Sequence, residues 1–473
     1  MSIRINHKEA MMKKKAKYVL LAAVMATDAA AYQQGSMETL ATTVNPYKTL
    51  KPVISSTLPD NLPPFTASAD STLNRPFFDY FSWQSFIALA WPADLATRGA
   101  PRSPNKARTF IKSYPLKNAP SSTPAVFMSY RDVTQLFPPS GVPVDWDSSQ
   151  PAYSPCTNSG PDTPYIGDSV ASDTNEAGLY IADDSPVVDQ HSNYARFETK
   201  FNKQEYTQVV NNKWYVQTNT AIALDSGSVE IKAAWRKMQK GDDFSRYYVV
   251  NMLATDPNTP TNQQGLCTIQ PMGLIGFHIM HKTKDQPQWI WSTFEQVDNV
   301  GFNNDPTKPG SFTNGNPDQA TMQNGYSYKP AQLPPTVENP APVVVYRITP
   351  IATTPVDTTR NFPHGVSTAG MNQTYRNLLK KTIWSNYQLV ATQWPSQPDQ
   401  ELKGGVPFPS SSVANTVIET FGLTANSPTC MGCHVTAASD NQSRDYSWTL
   451  AIRPRPDPAA APAPAVRVKP GHN

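Results

Sequence analysis

Val229-Glu230-Ile231-Lys232-Ala233-Ala234-Trp235-Arg236 is the stretch on which the fold assignment turns. Val229, Ile231, Ala233 and Trp235 alternate with Glu230, Lys232, Ala234 and Arg236, the period of two expected of a strand. Further strands are expected on the C-terminal side, at Tyr247 to Leu253, Leu274 to Thr283 and Trp289 to Phe294. Lys284-Asp285-Gln286-Pro287 forms a hairpin connection between the last two. Val343 to Ile348 and Trp384 to Trp394 read as later strands, the second stopped by Pro395.

Helical spacing flanks this block. From Asn74 to Trp91, Tyr80, Trp83, Ile87 and Ala90 share one face, widened by Phe86 and Leu89. Asn74 suits the N-cap, Pro76 the first turn and Pro92 the stop. So much aromatic surface predicts a buried helix. Helices are also expected at Tyr194 to Val210, Gln373 to Lys381 and Val413 to Phe421, with a helical turn near Tyr130 to Phe137. The long run from Asn299 to Lys329 is rich in Asn, Gly and Pro and reads as a loop. The sum is an α+β fold: one large domain with an antiparallel sheet and flanking helices, over residues 74–410, and a C-terminal segment, 411–452, packed on it.

That segment carries Cys430-Met431-Gly432-Cys433-His434, the C-x-x-C-H attachment signature of a c-type haem. Two thiols at this spacing add across the two haem vinyl groups, and the adjoining imidazole becomes an axial iron ligand. The chain has only four cysteines and seven histidines, so chance assembly of the string is improbable. A redox dithiol would be expected after a strand in a βαβ unit, whereas Ser427-Pro428-Thr429 reads as a loop. A zinc site would need a second pair of ligands at familiar spacing, and Cys156 and Cys267 stand far apart.

The other end of the chain agrees. Lys13, Lys14, Lys15 and Lys17 precede an apolar run from Tyr18 to Ala26, and Ala29-Ala30-Ala31 supplies small residues for cleavage. This is the layout of a secretory signal peptide over residues 1–31. The run falls short of the ~20 residues needed to span a bilayer, and no later stretch qualifies. An extended Thr/Ser/Pro-rich arm (32–73) and a disordered Pro/Ala-rich tail (453–473) complete the organisation. Export to the periplasm of a Gram-negative bacterium suits covalent haem attachment, and in that oxidising setting Cys156 and Cys267 are expected to form a disulfide or to stay as buried thiols. A net charge of +3 argues against a nucleic-acid groove, and 46 prolines with 16% charged residues suit a loop-rich exported protein.

Few residues follow the motif and none is Met, so any sixth iron ligand must come from upstream. Gly276-Phe277-His278-Ile279-Met280-His281 is the densest cluster. On a strand His278 and His281 face opposite ways. His278 is the first choice as distal ligand, because Gly276 beside it leaves room for a flat macrocycle. His281, Met280, Met371 and His364 are the alternatives, as is an open site. Glu295 and Asp298 would serve a distal pocket as acid or base, or simply make hydrogen bonds.

The strings F-S-W-Q-S-F-I-A-L-A-W-P, V-E-I-K-A-A-W-R, G-F-H-I-M-H-K-T, W-I-W-S-T-F-E-Q-V-D-N and C-M-G-C-H resemble an uncharacterised family of exported bacterial proteins with a single C-terminal C-x-x-C-H. The resemblance implies one covalent haem c per chain and electron transfer with a redox partner protein or small donor or acceptor; it supplies no substrate. A haem-dependent oxidase, peroxidase or oxygenase with an open distal site is the alternative, and a gas-sensing module the third.

Overall fold

The computed structural model describes residues 45–138, 142–149, 165–166, 187–255, 267–301, 305, 307–316, 318, 322–323, 342–347, 349–397, 407–410, 413–418, 429–439 and 441–456. The expected signal peptide, the first part of the N-terminal arm (32–44), Cys156 and the C-terminal tail from residue 457 lie outside them. Tyr47 opens the unit to which the elements below belong.

In chain order these are α1 (Ser71–Leu89), α2 (Ala107–Ser113), β1 (Arg131–Asp132), α3 (Val133–Leu136), β2 (Tyr165–Ile166), β3 (Arg196–Phe201), α4 (Lys203–Asn211), β4 (Val229–Lys237), β5 (Val249–Thr255), β6 (Cys267–Thr283) and β7 (Gln286–Gln296). They continue with β8 (Met322–Gln323), β9 (Val345–Tyr346), α5 (Thr368–Leu378), β10 (Tyr387–Pro395), β11 (Pro407–Phe408), α6 (Cys430–His434), β12 (Ala438–Ser439), β13 (Gln442–Ser443) and α7 (Trp448–Ile452). Among the described residues nine strands join one sheet along the path β1-β3-β4-β6-β7-β10-β11, with β5 on β6 and β2 beside β5. Every pairing in it is antiparallel except β2 with β5. The α+β expectation therefore holds.

Three local expectations do not. Tyr194 to Val210 is not one helix: Arg196–Phe201 pairs with β4, and the helix starts only at Lys203, capped by the Asn202 side chain on Glu205 N at 3.1 Å. Phe197, Thr199 and Phe201 alternate there at the strand period, and pairing with β4 fixes it. The segment from Val413 through Ile418 is a buried turn rather than a helix, lying against β7 through hydrogen bonds from Asn415 and Thr416. The long helix begins at Ser71 with Asp70 as its cap; Asn74 instead turns back to bond Ser68, and Pro76 sits inside the helix.

Alternation sorts the central strands into two faces. On one, Phe277, Ile279 and His281 of β6 and Ile290, Ser292 and Phe294 of β7 meet α1. Phe86 stacks on Phe294 (centroids 4.4 Å apart) and meets Phe277 edge-on, and Phe81 lies against His281. Helix α5 covers the same side, with Tyr375 stacked on Trp83 and Asn372 bonded to Leu389 O.

At the centre of that layer Asp79 is fully buried. It accepts hydrogen bonds from Thr368 of α5 (2.5 Å) and Thr392 of β10 (2.7 Å), and Ser82 links Thr392 to Ser292. Burial pushes its carboxyl from an ordinary 3.8 up to about 6, against the opposing pull of the two threonines and Arg75. Between these values the folded chain holds a proton that the unfolded chain has lost, so rising pH favours unfolding. We therefore expect Asp79→Asn, compared with the unaltered protein by urea unfolding, to gain relative stability between pH 4 and pH 7, by on the order of 3 kcal/mol. A constant difference across that range would refute the assignment.

Candidate functional site

The second face of the sheet carries residues that a half-exposed sheet would give to water. Register groups them in transverse rows. Glu230, Met280, Trp291 and Gln393 form one row across β4, β6, β7 and β10. Lys232, His278 and Thr293 form the next, and Ala234, Gly276, Glu295 and Gln388 the one beyond. Beyond the first row, on the other side, lie Lys282 and Trp289.

The C-terminal segment engages this face row by row. Helix α6 is fixed at its start by the Thr429 hydroxyl, which accepts from Gly432 N (3.2 Å), and by Gln393, whose side-chain oxygen accepts from Met431 N (2.8 Å). Met431 is buried in the core beneath it. On a helix, residues three and four apart are neighbours, so this one turn brings the half-buried thiols of Cys430 and Cys433 and the His434 ring together.

His434 packs edge-to-face on Trp291, with centroids 4.5 Å apart. Its Nδ1 lies 2.7 Å from the Tyr446 carbonyl. Burial pushes the ring's pKa down to about 4, against the pull of that carbonyl, and the nearby His278 and Lys232 depress it further. The ring is therefore neutral at pH 7. With Nδ1–H donated to a carbonyl oxygen, Nε2 carries the lone pair that a metal ligand needs.

The carbonyl is held by an unusual turn. Asp445 (φ 50°) and Tyr446 (φ 68°) are both left-handed, as is Trp289 (φ 69°) beneath them. Such non-glycine residues cost about 1–3 kcal/mol each and persist only where their surroundings hold them. Lys282 Nζ is 2.5 Å from the Asp445 carboxylate, which also accepts from Leu224 N (2.6 Å), and Trp289 Nε1 donates to the Asp445 carbonyl (3.1 Å). Next in the chain, Ser447 and Thr449 each donate to Glu230 at 2.8 Å. Glu205 of α4 lies beside Glu230; burial first, then Glu230 and Asp445, raises its carboxyl well above the usual carboxylate range.

The sequence-expected residues fall in different places. His278 and Met280 share the face that carries His434. His281 points to the α1 side, where burial pushes it down to about 3. Met371 is buried in the α1–α5 layer and His364 is exposed in the turn before α5. The space beside Gly276 is filled: a Cβ there would meet Ile418 at 2.8 Å and Val417 at 3.0 Å, so the gap admits this chain's own side chains rather than a macrocycle. Glu295 is buried against Arg347, Gln388 and Thr416, and Asp298 pairs with Arg246, so both serve structure rather than acid–base work. Cys267 opens β6. Trp291, Gln393, Lys282, Asp445 and the Tyr446 carbonyl were not anticipated. For Lys282 and Gln393 the signal was the polar half of the alternation in β6 and β10, ordinarily read as a solvent face; Asp445 and Tyr446 lie in the turn after β13, where no periodicity marks them.

Among the described residues no three or more His, Cys, Asp or Glu side chains gather as a metal cage, and no helix is long and apolar enough to cross a membrane. Comparison with protein-family models, curated proteins and solved structures returns no match.

Lys282→Met strands the Asp445 carboxylate. We expect it to lower unfolding stability in urea by about 3–5 kcal/mol. Lys282→Met with Asp445→Asn should recover much of that loss, whereas equal instability of the single and double variants would refute the pairing.

Proposed function

We propose that this chain is an exported, periplasmic monohaem c-type cytochrome that passes electrons to or from a redox partner, akin to the exported single-C-x-x-C-H family that its sequence resembles. The observation that carries the reading is the His434 ring, fixed through Nδ1 to Tyr446 with Nε2 left available, one helical turn from two half-buried thiols. That donor set fits haem c, which brings its own four nitrogens and so requires no cage of protein ligands. Cys430 and Cys433 would hold the porphyrin by thioether bonds and His434 would be the proximal ligand. When bound, the iron supplies a one-electron couple.

His278 is the distal residue we favour. It occupies the row next to Trp291, on which His434 rests, and lies close enough to His434 to disfavour its protonation. Met280 shares the face, in the same row as Trp291. The surrounding residues keep the imidazole neutral and oriented, and the sheet beneath excludes water from one side of it.

Optical spectra of the mature protein test the reading. The pigment is expected to survive acidic acetone, to become extractable in Cys430→Ala/Cys433→Ala, and to ignore CO when reduced. His278→Ala should convert it to a CO-binding form. A colourless mature protein would overturn the cytochrome reading. Ready CO binding by the unaltered protein would favour an enzyme acting on oxygen or peroxide, or a gas sensor.

A further inference from the structure

Residues 95–131 carry seven basic side chains and not one carboxylate, in a chain whose net charge is only +3. Two of the seven are used inside the fold. Arg131 donates to the carbonyls of Asp145 (2.6 Å) and Trp146 (2.7 Å), and Arg98 to that of Ser129 (3.1 Å). The other five, Arg102, Lys106, Arg108, Lys112 and Lys117, are exposed, and among the described residues none pairs with an acid. Like charges gathered on one short segment repel one another, and the field they raise draws in anions.

Arg102, Lys112 and Lys117 border an open cleft of about 510 Å³, a volume in the range of small-molecule sites. Its lining includes no carboxylate. Asp243 stands on the adjoining turn, but it does not line the cleft, and its carboxylate accepts from Ser245 N (3.0 Å) and Oγ (2.6 Å). The hydroxyls of Thr109, Ser113 and Ser122 add neutral donors. Ser113 Oγ accepts from Arg102 Nη2 at 2.8 Å and keeps its own proton for another partner.

The walls are fixed by the fold itself. Tyr114 is buried, and its carbonyl accepts from Ile383 N (3.1 Å). Ser121 N donates to Val249 O (2.6 Å), which ties the loop after Tyr114 to the start of β5, and Ser121 Oγ accepts from Thr123 N (3.1 Å). Asn118 Oδ1 accepts from Phe244 N at 2.8 Å. Pro115 and Pro120 restrict the backbone between these ties. A preformed cleft spares its ligand the cost of ordering the walls.

We propose that this cleft binds a small organic polyanion, bearing two or more phosphate or carboxylate groups, through Arg102, Lys112 and Lys117. A flat basic face would suit a macromolecule, whereas a hydroxyl-lined recess of this volume suits a compact solute. The inference does not depend on the cytochrome reading, because it uses no residue of the His434 face.

Isothermal titration calorimetry of the intact protein with pyrophosphate and with citrate tests it. Saturable one-to-one binding by at least one of the two is expected, and the tighter of them gives the charged group that the site prefers. Lys112→Ala/Lys117→Ala should weaken that binding on the order of tenfold or more, with the urea unfolding midpoint unmoved. Lys213→Ala/Lys284→Ala removes two exposed lysines that do not line the cleft and should leave binding unchanged. No saturable binding of either anion, or equal weakening in the two double variants, would overturn the proposal.

Discussion

A sheet covered on both faces has no water to offer the polar half of its strands. In this protein that constraint governs the second face, where Glu230, Lys282, Thr293, Glu295 and Gln393 are all buried and each needs partners. An unpaired buried charge costs several kcal/mol, far more than a formed pair returns. Partners must therefore arrive from elsewhere in the chain. They come from residues 415–449, through Asn415, Thr416, the Met431 amide, Asp445, Ser447 and Thr449. The C-terminal segment is held in place by the electrostatic needs of the sheet as much as by apolar contact.

The same arrangement orients His434. An imidazole on a one-turn helix would ordinarily be loosely aimed, since so short a helix has little stability of its own. Here its ring is set by Trp291 on one side and by the Tyr446 carbonyl at Nδ1. That carbonyl is aimed by two consecutive left-handed residues, which the Lys282–Asp445 pair and the Trp289 indole keep in place. The strain sits where a functional group must be pointed, and the buried sheet holds it there. Glu205 completes the electrostatics: it lies with Glu230 and Asp445 near Lys282, and burial together with those two carboxylates disfavours its charged form.

The sheet and the attachment motif were legible in the sequence for physical reasons. Val229 to Trp235 alternates cleanly because one side of β4 meets an aromatic layer, and a five-residue motif is recognised without knowing its surroundings. Over Arg196–Phe201, Phe197, Thr199 and Phe201 alternate with Arg196, Glu198 and Lys200, a strand period that a single helix over 194–210 passes over, and pairing with β4 fixes it. The turn at 413–418 was misread because its conformation is set by what it touches. Gly276 was read as a gap for a ligand, whereas the gap belongs to Ile418. The supporting residues of the site were the least legible of all, because Lys282, Gln393 and Asp445 are far apart in the chain and are brought together only by strand register and the final turn.

The motif's placement after the sheet-forming strands follows from this architecture. A small cytochrome surrounds its haem with its own helices, but α6 is a single turn and the described residues after it make a two-stranded ribbon and α7. Such a segment has too little core to fold alone. It borrows one from the strands that precede it, so its geometry exists only once β4, β6, β7 and β10 are assembled. On the cytochrome reading, folding and cofactor binding are then thermodynamically linked. A porphyrin tethered at Cys430 and Cys433 would bridge the segment to the sheet. Its attachment would stabilise contacts that Lys282, Gln393 and Glu230 have already formed, because those pairs do not depend on the haem.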